Sequence, residues 1–172
     1  MWIDDHGWWL VNVEFQPSSW RKGSYLNVGE QHLWCERDYF IFERHERPAS
    51  GAAFIEFTSD EATFEAAMTV LAEGAVTAVV ARRQAHGAGH DALRFVAATG
   101  DDFNAGVALG LLGDVPGAAA RLEGRIHPAF QAQAARYSDA LFSGDLEAVA
   151  RAAVDRSRSH LKLPPTERTW RT

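Results

Sequence analysis

Residues 10–29, LVNVEFQPSSWRKGSYLNVG, decide the fold class because they contain two stretches of alternating residues around a short polar loop. Alternation with a period of two is typical of a β-strand with one buried face. Pro17 ends the first stretch, since proline has no amide hydrogen to donate to a sheet. Each stretch carries an asparagine, Asn12 or Asn27, on the side opposite the valines of the first stretch. These asparagines fit either ordinary outward positions or a binding surface.

The sequence on both sides continues this pattern and predicts an antiparallel sheet of about five strands over residues 2–58. Residues 5–7, DHG, supply turn chemistry before WWLVNVEF, which predicts a hairpin. A third strand is predicted over residues 25–35, and YFIFER and AAFIEF predict two more around a polar turn. Because the connections are short, neighbouring strands are expected to be antiparallel.

From residue 58 onward the apolar residues recur at helical spacing. Residues 58–84, TSDEATFEAAMTVLAEGAVTAVVARRQ, predict one long helix that starts with a capping box of Thr58 and Glu61. Its apolar stripe, which is suited to packing on the sheet, consists of Phe64, Met68, Leu71, Ala75 and Ala78. Gly74 leaves open a break into two helices.

The carboxy-terminal part contains a weak internal repeat. ALGLLGDVPGAAARL and ALFSGDLEAVARAA align at a period of 31 residues, so that Gly113-Asp114 matches Gly144-Asp145. A glycine that closes one helix, followed by an aspartate that caps the next, is typical of a helical hairpin. The pattern resembles tetratricopeptide hairpins, but the period is shorter than theirs and two units are few. We interpret the region as a small helical bundle, with a true repeat as the alternative.

These patterns together predict an α+β fold, because a run of strands is followed by a run of helices. We expect an antiparallel sheet of about five strands packed with a long helix, followed by a carboxy-terminal helical bundle. The sheet and its packing helix are assigned to residues 1–90 and the helical region to residues 91–172, in one compact unit.

The 172-residue chain has a formal net charge of −6 at pH 7 and one cysteine, Cys35. The acidic balance argues against binding to nucleic-acid phosphates, which requires a basic surface. A single cysteine forms no intramolecular disulfide, which favours a reducing, cytoplasmic location. The amino terminus is acidic where a secretory signal is basic, and no stretch approaches the roughly 18 uninterrupted apolar residues of a membrane span. We therefore expect neither nucleic acid nor a membrane as a partner.

The sequence contains no arrangement that predicts catalytic residues, a metal site or a cofactor. His86 and His90 have the spacing of a zinc-binding pair, but glycines lie between them and the glutamate of that motif is absent. His32 and Cys35 are three residues apart, which a strand would place on opposite faces. Neither a glycine-rich phosphate loop nor a serine-nucleophile elbow occurs in the sequence.

The strongest candidate binding site is an aromatic and amide surface on or beside the sheet face away from the valines. Its residues are Trp8, Asn12, Glu14, Gln16, Trp20, Tyr25 and Asn27. Aromatic side chains anchor interfaces, and amides orient a partner. The alternative is a second core layer, covered by the carboxy-terminal helices. Glu14 and Glu30 are a candidate carboxylate pair, but alternation separates them unless a bulge at Gly29 intervenes.

The strand pair also carries an ordered set of residues: Asn12, Gln16, Ser18, Tyr25, Asn27 and Gly29. This set resembles an uncharacterised bacterial family, the domain of unknown function 4304. That family shows an apolar strand ending in N-x-Q-x-S, a short loop and an aromatic-apolar-N-x-G strand; here three residues, instead of one, separate Asn12 from Gln16. The resemblance covers residues 2–60 and implies the fold, but no catalytic residue. Some related small α+β proteins are suspected immunity partners of bacterial toxins.

Three functions follow as hypotheses. The first is a non-enzymatic, immunity-like protein-binding module, whose acidic balance suits a basic partner. The second is a small-molecule-binding protein or enzyme that uses the polar sheet face around Asn12 and Asn27. The third is a structural or oligomeric role of the helical hairpins. The sequence leaves the oligomeric state open.

Overall fold

The computed structural model describes residues 2–5, 7–17, 23–36, 40–46, 51, 54–56 and 60–163. The strands are β1 (Trp2–Asp5), β2 (Trp9–Pro17), β3 (Gly23–His32), β4 (Phe40–Arg44) and β5 (Phe54–Glu56). The helices are α1 (Glu61–His86), α2 (Gly89–Thr99), α3 (Asp102–Leu111), α4 (Val115–Leu122), α5 (Gln131–Ser143) and α6 (Leu146–His160). The predicted α+β class, with an antiparallel sheet and helices, is confirmed.

Strand pairing in the sheet is antiparallel in each described pair. β1 and β2 form the predicted hairpin, in which Ile3 lies opposite Asn12. β3 pairs with β4 and also with β5. The register between β3 and β4 shifts between Val28 and Gly29, which is where the sequence suggested a bulge.

The third strand begins two residues earlier and ends three residues earlier than the predicted residues 25–35. β3 ends at His32, and the chain then turns, because the amide of Cys35 donates a hydrogen bond of 2.8 Å to the carbonyl oxygen of His32. Residues 33–35 are almost fully buried in this turn. Their apolar character prolongs the strand pattern in the sequence, although the backbone has left the sheet. Cys35 is a buried free thiol.

The chain divides into two compact units, which are described separately. The first unit comprises Met1–Gln31 and Asp38–Arg83, and the second comprises His32–Arg37 and Gln84–Thr172. In the first unit, α1 packs on the face of the sheet that carries Trp9, Val11, Leu26, Val28 and Ile55. The residues of α1 buried in this core are Leu71, Ala75 and Val79, with Phe64, Ala67 and Met68 partly buried beside them. This confirms the predicted packing stripe, except that Val79 takes the place of the half-buried Ala78.

The start of α1 differs from the prediction. Glu61 is the first helical residue, and Thr58, the predicted cap, lies outside the described residues. The Thr63 hydroxyl and the Asp60 carboxylate are hydrogen-bonded, and the backbone oxygen of Asp60 accepts from the amide of Phe64 at 3.1 Å. Asp60 therefore closes the first turn, since its carboxylate can satisfy the free amides there. The helix continues through Gly74 without a break.

α1 is also the one described helix that is long and apolar enough to cross a membrane by length and composition. Its most apolar 18-residue window has a mean hydropathy of 1.5, although no run of that length is free of polar residues. Only 17% of the window is buried. Much of the apolar surface of this helix therefore faces outward.

The second unit contains two helical hairpins that match the repeat in the sequence. α3 packs on α4, and α5 packs on α6. Gly113 and Gly144 end the first helix of each hairpin with positive φ values of 87° and 83°, which favour glycine. The Asp114 carboxylate then caps α4 by accepting the amide of Gly117 at 3.0 Å. α3 also contacts α6 closely, because a Cβ at Gly110 would overlap the side chain of Leu146.

The turn that follows β3 belongs to this second unit. The indole nitrogen of Trp34 donates to Oδ1 of Asn104 at 2.8 Å, and the Tyr137 hydroxyl donates to the carbonyl oxygen of Trp34 at 2.9 Å. The Glu36 carboxylate accepts hydrogen bonds from both Arg136 and Arg156. These contacts fix the segment on α3, α5 and α6.

Candidate functional site

The asparagines of the predicted sheet surface are buried. The side chains of Asn12 and Asn27 are 3% and 0% exposed. Gln16 lies in β2, and Trp20 lies outside the described residues. A macromolecule cannot reach amides as buried as these without opening the fold, so their predicted role in binding stays a prediction.

The structure brings three residues of the first unit together around Asn27. Nε of Arg44 donates to Oδ1 of Asn27 at 3.0 Å, and the Arg44 guanidinium lies 4.2 Å from the centre of the Tyr25 ring. The Tyr25 ring also contacts Phe54, with 5.2 Å between ring centres. Such cation–π and charge-assisted contacts stabilise a buried amide in place. No local pattern predicts the role of Arg44, which lies opposite Asn27 only through the pairing of β3 with β4.

Asn12 has a different environment. Its Oδ1 is buried and has no hydrogen-bond partner among the described residues. An unsatisfied buried acceptor generally costs about 1–3 kcal/mol. Trp8 is half-buried and packs against the core that contains Trp9, not on the face of Asn12 where the sequence analysis put it. Trp8 and Asn12 therefore do not form one surface.

Glu30 does not pair with Glu14. It accepts hydrogen bonds from the indole nitrogen of Trp9 at 3.3 Å and from Nε of Arg82 at 2.8 Å. Glu30 thus belongs to the sheet face that packs on α1, whereas alternation from Trp9 places the half-buried Glu14 on the other face. A two-carboxylate hydrolytic site is not assembled here.

Two histidines of the second unit, His32 and His86, belong to an aromatic cluster. His32 stacks on Trp34 with 5.1 Å between ring centres, and His86 lies 5.7 Å from His32 and 5.3 Å from Phe95. His86 ends α1 while His90 lies in α2, so the pair does not share one helix. Within the described ranges, no group of three or more His, Cys, Asp or Glu side chains is arranged to hold a metal ion.

A groove of about 320 Å³ lies in the second unit between α2 and the two hairpins. Its lining residues are His90, Leu93, Gly110, Leu111, Val115, Leu141, Gly144, Leu146 and Glu147. Most of these side chains are apolar, and they come from α2 and from both hairpins. The groove thus has an apolar floor built by elements that lie far apart in the sequence.

Two aspartates are direct chain neighbours of residues that line the groove. Asp114 precedes the lining residue Val115, and Asp145 lies between the lining residues Gly144 and Leu146. Both aspartates are exposed, and neither forms an ion pair among the described residues with a basic side chain. Glu147 is paired with Arg151 at 2.7 Å. Each Gly-Asp turn therefore carries a negative charge one residue away, along the chain, from a residue that lines the groove.

The Gly-Asp turns are visible in the sequence, where they indicate hairpin structure only. The 31-residue repeat was the signal that both turns lie in equivalent positions. The apolar floor could not be inferred, because it depends on how α2 and the two hairpins pack. The groove was therefore missed as a site.

Comparison with known proteins gives no independent guide to this groove, since no family model, curated protein or solved structure matches the chain. The resemblance to the domain of unknown function 4304 is therefore untested. Function has to be argued from the geometry and the charge of the groove.

Proposed function

We propose that this chain is a non-enzymatic protein-binding module, immunity-like in kind, which holds a basic segment of another protein in the groove between its Gly-Asp turns. The single observation that carries the proposal is a groove of about 320 Å³ that is rich in leucine side chains. Two exposed aspartates, which form no ion pair among the described residues, are chain neighbours of its lining residues. Leu111, Leu141 and Leu146 offer a surface for an apolar side chain. Asp114 and Asp145 select positive charge beside it.

Charge supports a basic partner at two levels. The whole chain carries a formal charge of −6, which favours encounter with a positively charged protein. The local aspartates then favour lysine or arginine next to the apolar anchor. An anchor in an apolar pocket surrounded by polar groups is the usual arrangement of a binding hot spot.

A protein side chain fits the groove better than a small metabolite does. Its volume lies at the low end of the range for small-molecule pockets, roughly 300–1,000 Å³. Only two of its lining side chains, His90 and Glu147, are polar, and Glu147 is already paired with Arg151. A metabolite would need several convergent polar groups to fix its orientation.

The proposal includes the finer architecture. We take α2–α6 as the carboxy-terminal bundle that presents the groove, and residues 2–58 as a sheet of about five strands that packs with α1. We also take the protein to be cytoplasmic, where its partner would meet it.

A titration with two peptides tests this function. We expect the lysine-rich peptide Lys-Leu-Phe-Lys-Leu-Lys to shift backbone amide resonances of the groove in ¹⁵N-labelled full-length protein. The charge-reversed peptide Glu-Leu-Phe-Glu-Leu-Glu should bind more than about tenfold less tightly, because like charges would meet at the aspartates. Equal binding of both peptides would contradict the proposal, as would shifts confined to the first unit.

A pair of matched variants locates the binding. Val115→Arg places a positive charge at the groove, whereas Val70→Arg places one on an exposed part of α1. We expect Val115→Arg to lower the affinity for the lysine-rich peptide by about tenfold. Val70→Arg should leave this affinity unchanged. A partner captured from cells should show the same difference. Loss of binding in both variants would show that net charge, not the groove, is responsible.

A further inference from the structure

Residues 164–172, PPTERTWRT, have the composition that the groove is proposed to bind. They lie outside the described residues. Trp170 is an aromatic residue with an arginine on each side, Arg168 two positions before it and Arg171 directly after it. Tryptophan and arginine are among the side chains most often found at binding hot spots. The chain therefore contains a segment that matches the chemistry of its own groove.

The chain turns sharply at the end of α6, just before this segment. Lys162 has a φ of 55°, which lies in the left-handed region. Its amide donates to the carbonyl oxygen of Ser159 at 3.2 Å, and the amide of Leu163 donates to that of Arg158 at 2.9 Å. This pair of hydrogen bonds is the Schellman motif, which ends a helix. Because Leu163 is bonded to a carbonyl five residues earlier, it lies beside the last turn of α6, and residues 164–172 start from there.

The segment is long enough to return to the groove. α6 begins at Leu146, which lines the groove, and its cap residue is Leu161. These two residues are about 23 Å apart along the helix axis, at a rise of roughly 1.5 Å per residue. Trp170 comes seven residues after Leu163, and an extended chain covers about 22–24 Å over that length. The two prolines that open the segment favour extended geometry, because proline cannot continue a helix.

One side of α6 offers an open route for such an extended segment. It consists of exposed residues at intervals of four, three and four positions: Ala148, Ala152, Asp155 and Ser159. None of these side chains is large, so a second stretch of backbone can lie close to the helix there. The acidic charge of Asp155 also suits a segment that carries two arginines and one glutamate.

The order of the residues fits an antiparallel path along α6. Arg171 follows Trp170, whereas Asp145 precedes Leu146, so Arg171 lies level with Asp145 when Trp170 lies level with Leu146. Asp145 is exposed and forms no ion pair among the described residues. The apolar anchor and the charge therefore match the groove and its neighbouring aspartate in the same register.

We propose that residues 164–172 occupy the groove of their own chain, with Trp170 against Leu146 and Arg171 beside Asp145, and thereby compete with a partner. The inference rests on the proposed function, because it concerns the same groove. A segment tethered nearby competes at an effective concentration on the order of millimolar, which a separate copy of the chain reaches only in concentrated solution. The partner's apparent affinity falls by the fraction of chains whose groove is open.

Fluorine NMR of the full-length chain labelled with fluorotryptophan tests this contact. The chain has six tryptophans, and Trp170→Phe identifies the resonance of Trp170 by its loss. We expect a soluble gadolinium chelate to broaden this resonance several-fold more in Val115→Arg than in the original chain, because the charge introduced at the groove repels the arginines of the segment. Val70→Arg is the matched control on α1 and should leave the broadening unchanged.

A charge exchange tests the register. Arg171→Glu should expose Trp170 to the chelate, because two carboxylates would then meet at Asp145. Combining Arg171→Glu with Asp145→Arg should restore the protection of Trp170. If the combined variant leaves Trp170 as exposed as Arg171→Glu does, Arg171 does not pair with Asp145.

Competition supplies a second measurement. Trp170→Ala should raise the affinity for the lysine-rich peptide by about fivefold, because it frees the groove. Thr166→Ala is the matched control, since it changes the same segment without removing the anchor. An equal effect of both variants would mean that Trp170 has no special role.

Two NMR results would overturn the inference. The first is broadening of the Trp170 resonance that is the same in the original chain and in Val115→Arg. The second is protection that disappears on dilution, because the segment would then occupy the groove of a second copy.

The peptide separates this inference from the proposed function. If the lysine-rich peptide binds and Trp170→Ala changes nothing, the segment does not occupy the groove, whereas the proposed function stands. If the peptide binds neither the original chain nor Trp170→Ala, but Val115→Arg still exposes Trp170, the proposed function is wrong and the contact within the chain stands.

Discussion

The Tyr137 hydroxyl donates a hydrogen bond of 2.9 Å to the carbonyl oxygen of Trp34, and both groups are buried within the second unit. This contact joins the turn after β3 to α5. The Tyr137 ring also packs edge-on against Phe103, with 5.5 Å between ring centres. Burial raises the pKa of Tyr137, so its hydroxyl keeps its proton and remains a donor throughout the ordinary pH range.

Tyr137→Phe should lower the free energy of unfolding by about 1–3 kcal/mol. The substitution keeps the ring and its packing, but it leaves the carbonyl oxygen of Trp34 buried without this donor. Urea denaturation followed by tryptophan fluorescence measures the change. Tyr25→Phe is a suitable control, because Tyr25 is only half-buried. An unchanged midpoint in Tyr137→Phe would show that the hydrogen bond is not needed to hold the turn.

Glu36 makes the second unit sensitive to acid. Burial alone would raise the pKa of Glu36, but the hydrogen bonds and charges of Arg156 and Arg136 outweigh burial and hold this pKa below its usual value near 4.5. A carboxylate whose pKa is lowered in the folded state contributes stability above its unfolded pKa and loses it as the pH falls through the folded value.

Glu36→Gln should therefore be less stable than the original chain at neutral pH, by no more than about 1 kcal/mol because solvent screens the partly exposed arginines. The difference should shrink as the pH falls below about 4.5. Thermal melts at a series of pH values measure it. A difference that is constant with pH would mean that Glu36 acts through its shape and not through its charge.

The absence of a side chain at Gly110 allows the close packing that forms the groove. A Cβ at this position would overlap Leu146 and would lie 3.1 Å from Leu141, both of which line the groove. Gly110→Ala should destabilise the chain by about 1–3 kcal/mol through overpacking, partly offset by the better helix propensity of alanine. Denaturant unfolding measures the net effect.

Gly106→Ala serves as the comparison, since its Cβ would meet Leu122 on α4 instead of the groove. Both variants should be less stable than the original chain, but only Gly110→Ala should also lower the affinity for the lysine-rich peptide. A gain of stability in Gly110→Ala would mean that α3 and α6 are not closely packed at this level.

Local pattern was enough to predict several features of the first unit. The period-two alternation around Val11 correctly predicted the face of the sheet that packs on α1. The helical stripe that includes Leu71 and Ala75 correctly predicted the side of α1 that contacts this face. Both features depend on periods of two and of 3.6 residues, which are properties of neighbouring positions.

Contacts between distant positions could not be predicted in this way. Trp34 and Asn104 are 70 residues apart, and Glu36 and Arg156 are 120 apart. The local sequence around one residue of such a pair does not predict which distant residue it contacts. The apolar floor of the groove depends on the same kind of long-range packing, which is why the sequence indicated its turns and not its cavity.

The two asparagines of the sheet should respond in opposite ways to replacement by leucine, a residue of similar size. Asn12→Leu removes a buried Oδ1 that has no hydrogen-bond partner among the described residues, so it should raise the free energy of unfolding by about 1 kcal/mol. Asn27→Leu removes the acceptor of Arg44 and should lower the free energy of unfolding by about 1–3 kcal/mol.

Urea denaturation of both variants measures these changes, and the Asn12→Ala and Asn27→Ala double variant separates structure from binding. If the amides are structural, the double variant should unfold at lower urea than the original chain, mainly through the loss of the Asn27–Arg44 hydrogen bond. A double variant with unchanged unfolding would favour the binding surface that the sequence suggested. A destabilised Asn12→Leu would show that the Asn12 amide has a partner that the described residues do not include.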